Sequence, residues 1–143
     1  MIILKNLHTT ASDEELRASI EESKRGIAEM RRLNDIWSEQ AAVLFGHQNK
    51  GAELEKANRL EAAAREYEAA AAYGRAAGQM TVNQYFYSIE RLCIIYRKLR
   101  RYDDEIATIR AALAEYINPK DRERLADRLV KAQLLQAKAQ QEK

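Results

Sequence analysis

Ile89-Glu90-Arg91-Leu92-Cys93-Ile94-Ile95-Tyr96-Arg97-Lys98-Leu99-Arg100-Arg101-Tyr102-Asp103-Asp104-Glu105-Ile106 carries the decisive pattern of this chain. Its apolar residues recur at the three- and four-residue steps of an amphipathic helix. Arg100-Arg101 then interrupts the pattern, and Asp103-Asp104-Glu105 supplies the acidic opening that suits the positive end of a new helix dipole. A helix, a short basic turn and a second helix are therefore expected, with the helices covering 81–99 and 103–116.

The same reading extends in both directions. Upstream, Arg59 to Ala77 is dominated by Ala, Glu and Arg and predicts a helix, with Gly78 placed for a left-handed C-terminal residue. Thr81-Val82-Asn83-Gln84 has the form of a capping box. Downstream, Asn118-Pro119 puts a cap and a first-turn proline in order, opening a last helix to about Ala139. Leu125, Leu129, Val130, Ala132, Leu134 and Leu135 are its expected inward residues.

Toward the N-terminus, Ser12-Asp13-Glu14-Glu15 is another capping box. It precedes Leu16, Ile20, Ile27, Met30, Leu33, Trp37, Ala41 and Leu44, one apolar stripe on a long helix. Gly46-His47-Gln48-Asn49-Lys50-Gly51 is the expected break, although a helix running on to about Ala57 is the alternative. The organisation expected is a single all-α domain: an arm at 1–11, a long helix at 12–45, paired helices at 46–117 and a capping helix at 118–143. No strand is expected.

Composition narrows the function classes. The 143 residues include five Gly and one Pro, and 24 basic side chains against 22 acidic ones leave a formal charge of +2. So small an excess argues neither for nor against nucleic acid, and any basic footprint has to be local. Cys93 is the single cysteine, which excludes an internal disulfide and a cysteine-rich metal cluster. No stretch is apolar for the length of a bilayer, so no membrane partner is expected and the cytoplasm is the expected compartment. His8 and His47 lie on different segments without further ligands at metal-site spacing. No phosphate-binding glycine loop is present, and Glu14/Glu15, Glu21/Glu22 and Asp103/Asp104 read as helix-start or surface acids. No cofactor and no enzymatic activity are expected.

An internal correspondence runs through the middle of the chain. Leu54 aligns with Tyr96, Leu60 with Tyr102, Ala63 with Glu105, Tyr67 with Ile109 and Ala70 with Ala112, always at an offset of 42 residues. These landmarks resemble the tetratricopeptide repeat over roughly residues 44–117, and the second unit is similar to a variant common in bacterial proteins. The small residues Gly51, Cys93, Ala63, Ala70 and Ala112 fit the close helix packing of such repeats, beside Leu54, Tyr67, Tyr96 and Tyr102. The offset exceeds the usual ~34-residue period, which predicts a longer connection near 74–82. Glu105 stands where the family has alanine, and His47 and Lys50 stand where it has large apolar residues.

The resemblance implies a short right-handed solenoid of antiparallel helix hairpins that binds a protein or peptide along the groove lined by the first helix of each pair. By register, that groove comprises Phe45, Gln48, Ala52 and Glu55, then Tyr87, Glu90, Ile94 and Arg97. It lacks the Lys and Asn pattern with which some family members hold a peptide carboxylate. The terminal helices could fill the groove or cap the array, or pair with those of a second copy through the seam around Trp37. The second reading is a nucleic-acid-associated regulator using Arg97, Lys98, Arg100 and Arg101 as a phosphate-binding cluster. A helix C-terminus with neighbouring acids, Asp103 and Asp104, is the favoured reading of that cluster. Cys93, between Leu92 and Ile94, is expected to be buried and inert.

Overall fold

The computed structural model describes residues 12–78, 80–115 and 117–142. The regular elements among them are five helices: α1 (Asp13–Lys56), α2 (Leu60–Ala76), α3 (Val82–Lys98), α4 (Tyr102–Leu113) and α5 (Pro119–Gln141). The expected arm at 1–11 lies outside the described residues. The chain divides between Glu39 and Gln40 into two units, and α1 contributes to both.

In the first unit, Ser12 and Glu15 close the capping box: the Glu15 backbone N–H donates to Ser12 Oγ at 3.1 Å, and the Ser12 N–H donates to Glu15 Oε2 at 3.3 Å. Among the described residues nothing covers the apolar stripe beyond it. Leu16, Ile20, Ile27, Met30, Leu33 and Trp37 are between 39% and 65% exposed.

In the second unit, α1 continues without interruption through the expected break at 46–51. Gly51 is a packing residue here, not a helix terminator. A methyl group on it would stand 2.8 Å from Tyr67 Cε1, so only a bare Cα lets the α2 ring approach. Gly46 meets no such neighbour, and a lone glycine weakens a helix without ending it. Gly74 likewise lies inside α2, against the Tyr85 ring. The connection after it is therefore confined to 77–81, shorter than the period suggested, with Gly78 at φ +72°.

Successive helices pack as neighbours: α2 on α3, α3 on α4, and α4 on α5. The side-chain contacts show opposite chain directions. Gly74 meets Tyr85 at one end of the α2–α3 pair, and Tyr96 Oη donates to Glu68 at the other. In the α4–α5 pair Asp103 bonds Gln136, and Arg122 donates to the Leu113 carbonyl at 3.0 Å. Short connections of this kind favour antiparallel neighbours. One apolar cluster joins Leu44, Ala70, Tyr85, Ile89, Cys93 and Ile109; another joins Ala63, Tyr67, Leu92 and Ile95.

The turns after α1 and α3 have the same backbone form. Asn58 and Arg100 take φ of 58° and 59°. Behind each, the next N–H reaches back to the preceding helix, Arg59 to Leu54 O at 2.9 Å and Arg101 to Tyr96 O at 2.8 Å. Asn58 and Arg100 themselves donate to Glu55 O and Arg97 O. Both turns are thus Schellman caps with a non-glycine residue at the left-handed position. They are separated by the same offset as Leu54 and Tyr96.

At the start of α5 the Asn118 side chain accepts from the Asp121 N–H at 3.0 Å with Pro119 in the first turn. Leu125 and Ala132 are buried and Leu129 is half-buried, but Val130 and Leu134 are 58% and 63% exposed. The inward stripe of α5 follows i, i+4 and i+7 from Leu125, and these two residues fall beside it.

Candidate binding surface

Within the second unit, the end of α1 lies beside α3. Glu55 of α1 ties these helices together: it accepts from Tyr67 Oη at 3.1 Å and from Arg91 Nε at 3.0 Å, with Arg91 Nη2 as a further donor. The Tyr67 and Tyr87 rings meet edge to face, with centroids 6.1 Å apart and planes at 73°. That contact holds Tyr87 on the surface, where it remains 48% exposed. Ala52, Glu55, Lys56, Tyr87 and Arg91 line a shallow concavity. Phe45, further up α1, is 46% exposed.

The α3 residues expected to continue this groove are differently placed. Glu90 pairs with Arg124 of α5, whose guanidinium also lies 5.8 Å above the Phe86 ring. Ile94 faces a depression shared with Arg97 and the α5 side chains of Leu125, Arg128 and Lys131. The last helix thus occupies one part of the groove register, while the part between α1 and α3 stays accessible.

Gln48 is also displaced from the expected surface. It is 6% exposed, because it falls on the same buried face as Leu44 and Gly51 at steps of four and three. Its amide Nε2 has no hydrogen-bond partner among the described residues.

Arg97 is held by neighbouring helices. Its guanidinium grips Glu105 with bonds of 3.0 and 2.8 Å and donates to the Arg128 carbonyl at 3.0 Å. Arg128 Nη1 approaches the same Glu105 carboxylate at 2.9 Å, and Glu105 is completely buried. The carboxylate in the alanine position of the resemblance is therefore the shared acceptor that joins α3, α4 and α5. Sequence reasoning could not find this set, since its members lie on three helices with no common periodicity.

The remaining basic residues at 97–101 do not converge. Arg101 pairs with Asp104 at 2.8 Å and Glu61 at 3.1 Å, and lies 4.8 Å above the Tyr96 ring. Its hydrogen bond to Asp104 is the main influence holding its pKa above the usual value. Arg100 approaches Glu142 at 3.3 Å. Lys98 is exposed and makes no ion pair among the described residues. The arginines are distributed among separate carboxylates and do not frame one phosphate.

Cys93 is fully buried, and burial pushes its thiol pKa up to about 12, with the Glu105 charge adding to the shift. His47 Nδ1 lies 2.9 Å from Glu66 Oε2 on α2. Among the described residues no group of His, Cys, Asp and Glu has the placement to hold a metal ion, and no helix is long and apolar enough to cross a membrane. His8 lies outside the described residues. No family model, curated protein or solved structure matches the chain.

Proposed function

We propose that this chain is a non-enzymatic interaction module, a short tetratricopeptide-like array that takes a partner peptide or helix on the accessible surface between α1 and α3. The observation that carries this reading is exposed Tyr87 in one concavity with the Glu55–Arg91 ion pair, with a second exposed aromatic, Phe45, further up α1. Aromatic anchors with a charged rim are the usual materials of a protein-recognition surface. The matching Schellman turns at Asn58 and Arg100 support the repeat reading. So does the recurrence of a small α1 or α3 residue facing the following helix, Gly51 at Tyr67 and Cys93 in the cluster with Ile109. The nucleic-acid reading has less support, because Arg97, Arg100 and Arg101 each already meet a carboxylate.

Affinity capture from nuclease-treated lysate, comparing the wild-type chain with a Phe45→Ser/Tyr87→Ala variant, tests this reading. Captured proteins are then remeasured in purified form. A protein whose affinity falls tenfold or more in the variant, at unchanged helical content, fits the proposed surface. Equal affinity for both chains, or capture abolished by nuclease, overturns it. Arg97 is unsuitable as a probe because its substitution strands the buried Glu105.

A further inference from the structure

The stripe on α1 between Leu16 and Trp37 has a regular identity. Successive steps of four and three residues pass through Leu16, Ile20, Ser23, Ile27, Met30, Asn34 and Trp37. This is a heptad seam with Ile20, Ile27 and Asn34 at a positions and Leu16, Ser23, Met30 and Trp37 at d positions. Its large apolar members are exposed: Ile20 by 54%, Ile27 by 50% and Met30 by 65%. The seam spans about 33 Å of helix at 1.5 Å per residue. Beyond it the same phase reaches Ala41 and Leu44, which are buried in the second unit. A seam open to a partner helix therefore ends at Trp37.

We infer that this seam pairs with the same seam of a second copy, forming a parallel, in-register two-stranded coiled coil. Three features select that occupant. β-Branched residues at a with Leu at d favour two parallel strands; Ile20 and Ile27 hold a, and Leu16 holds d beside Ser23, Met30 and Trp37. Asn34 is the one polar a residue, and a parallel in-register copy places its own Asn34 opposite, where the two amides can bond each other. A shifted or unrelated helix would leave the amide against apolar groups.

Charge gives the third argument. The e positions are Arg17, Lys24 and Arg31, whereas the g positions are Ser19, Gly26 and Leu33. Antiparallel pairing sets e against e and brings these cations together; parallel pairing sets e against neutral g residues. The Glu21–Lys24 pair at 3.6 Å and the Glu29–Arg32 pair use b, e, c and f positions, and leave the seam clear. Surface pairs of this kind add little to a helix with no packed face, so a second copy would also supply the burial that the stripe lacks.

Sedimentation equilibrium of the full chain at micromolar concentration tests the inference. The expected mass is twice the 16.4 kDa of one chain, returning to one chain in Ile27→Asp. Orientation is read from cysteine variants, since native Cys93 is buried. Under mild oxidation, Ser23→Cys at the seam should cross-link to itself, whereas Arg25→Cys on the opposite face should not. A monomeric wild-type chain overturns the inference; the stripe is then the property of another protein or of another segment of this chain. So does a dimer indifferent to Ile27→Asp, or one in which Ser23→Cys fails to cross-link. These outcomes do not depend on Phe45 or Tyr87, so the groove proposal stands or falls separately.

Discussion

Tyr67 rests on Gly51: the α2 ring occupies the space that any side chain on that residue of α1 would need. Two opposed effects act on Gly51→Ala. Helix propensity favours alanine by about 1 kcal/mol, but overpacking against a ring with no exposed surface costs about 1–3 kcal/mol. The clash should win. Gly46→Ala meets nothing within 4 Å and should gain most of the propensity term. Urea denaturation should therefore move the two variants in opposite directions, Gly51→Ala down and Gly46→Ala up. A stabilised Gly51→Ala would show that α1 and α2 can separate without loss.

Glu105 should be the least replaceable charge in the second unit. Changing it to the alanine of the resemblance removes the shared acceptor and leaves Arg97 and Arg128 facing each other, with side chains 27% and 24% exposed. Breaking a buried pair from one side costs about 3–5 kcal/mol; partial access of both arginines to water places the expected loss at about 3 kcal/mol. Arg97→Leu and Arg128→Leu on the Glu105→Ala background should restore much of it. A double-mutant cycle by chemical denaturation measures the coupling directly, and additive losses would mean that the three side chains do not act as a set.

The thiol of Cys93 should report unfolding. Its pKa is pushed up to about 12 in the folded chain from an ordinary value of 9.0, mainly by burial. As pH rises through the ordinary value, an unfolded chain ionises its thiol and the folded chain does not. Stability from this group is therefore fully present below about pH 9 and declines between that point and the folded pKa. At neutral pH, refolding outpaces alkylation, so labelling of Cys93 should follow the small fraction of open chain and accelerate in urea as the unfolding equilibrium shifts. Rapid labelling under native conditions would contradict the buried placement.

At the acidic end, Glu66 should contribute in the opposite sense. Its carboxyl is held below the ordinary 4.5, chiefly by the hydrogen bond from His47 and also by Lys50 at 3.3 Å. A lowered folded pKa stabilises above the unfolded value and is lost as pH falls through the folded value. Glu66→Gln should therefore narrow the stability difference between neutral and acidic pH. Carboxyl NMR of Glu66 should find a midpoint below the ordinary value, and a midpoint at or above it would discount the α1–α2 contact through His47.

The helical elements of this chain were legible because their ends carry local chemistry. Asn118-Pro119, Ser12 with Glu15 and Gly78 mark ends using only nearby residues, and the structure places a helix boundary at each. Gly51 misled because a glycine needed for a distant ring looks the same in sequence as one that ends a helix. The sequence suggested the turn at Arg100-Arg101, but not the left-handed arginine within it. Of the expected groove, Phe45 and Tyr87 are exposed, whereas Gln48 is buried and Arg97, 27% exposed, is taken up by Glu105. Register alone placed all four on one face. It could not show that α5 would supply Arg128 to Glu105, because that contact depends on tertiary packing.

The order of packing also bears on how the chain folds. Contacts between successive helices joined by short turns close small loops, and chains dominated by such contacts fold in microseconds to milliseconds. Each hairpin can begin wherever its turn first forms, with no distant strand to await. Glu105 is the exception, because its two arginines arrive from separate helices and all three groups lose water together. Docking of α5 should therefore be the late, cooperative event, and weakening Arg128 should accelerate unfolding far more than it slows folding.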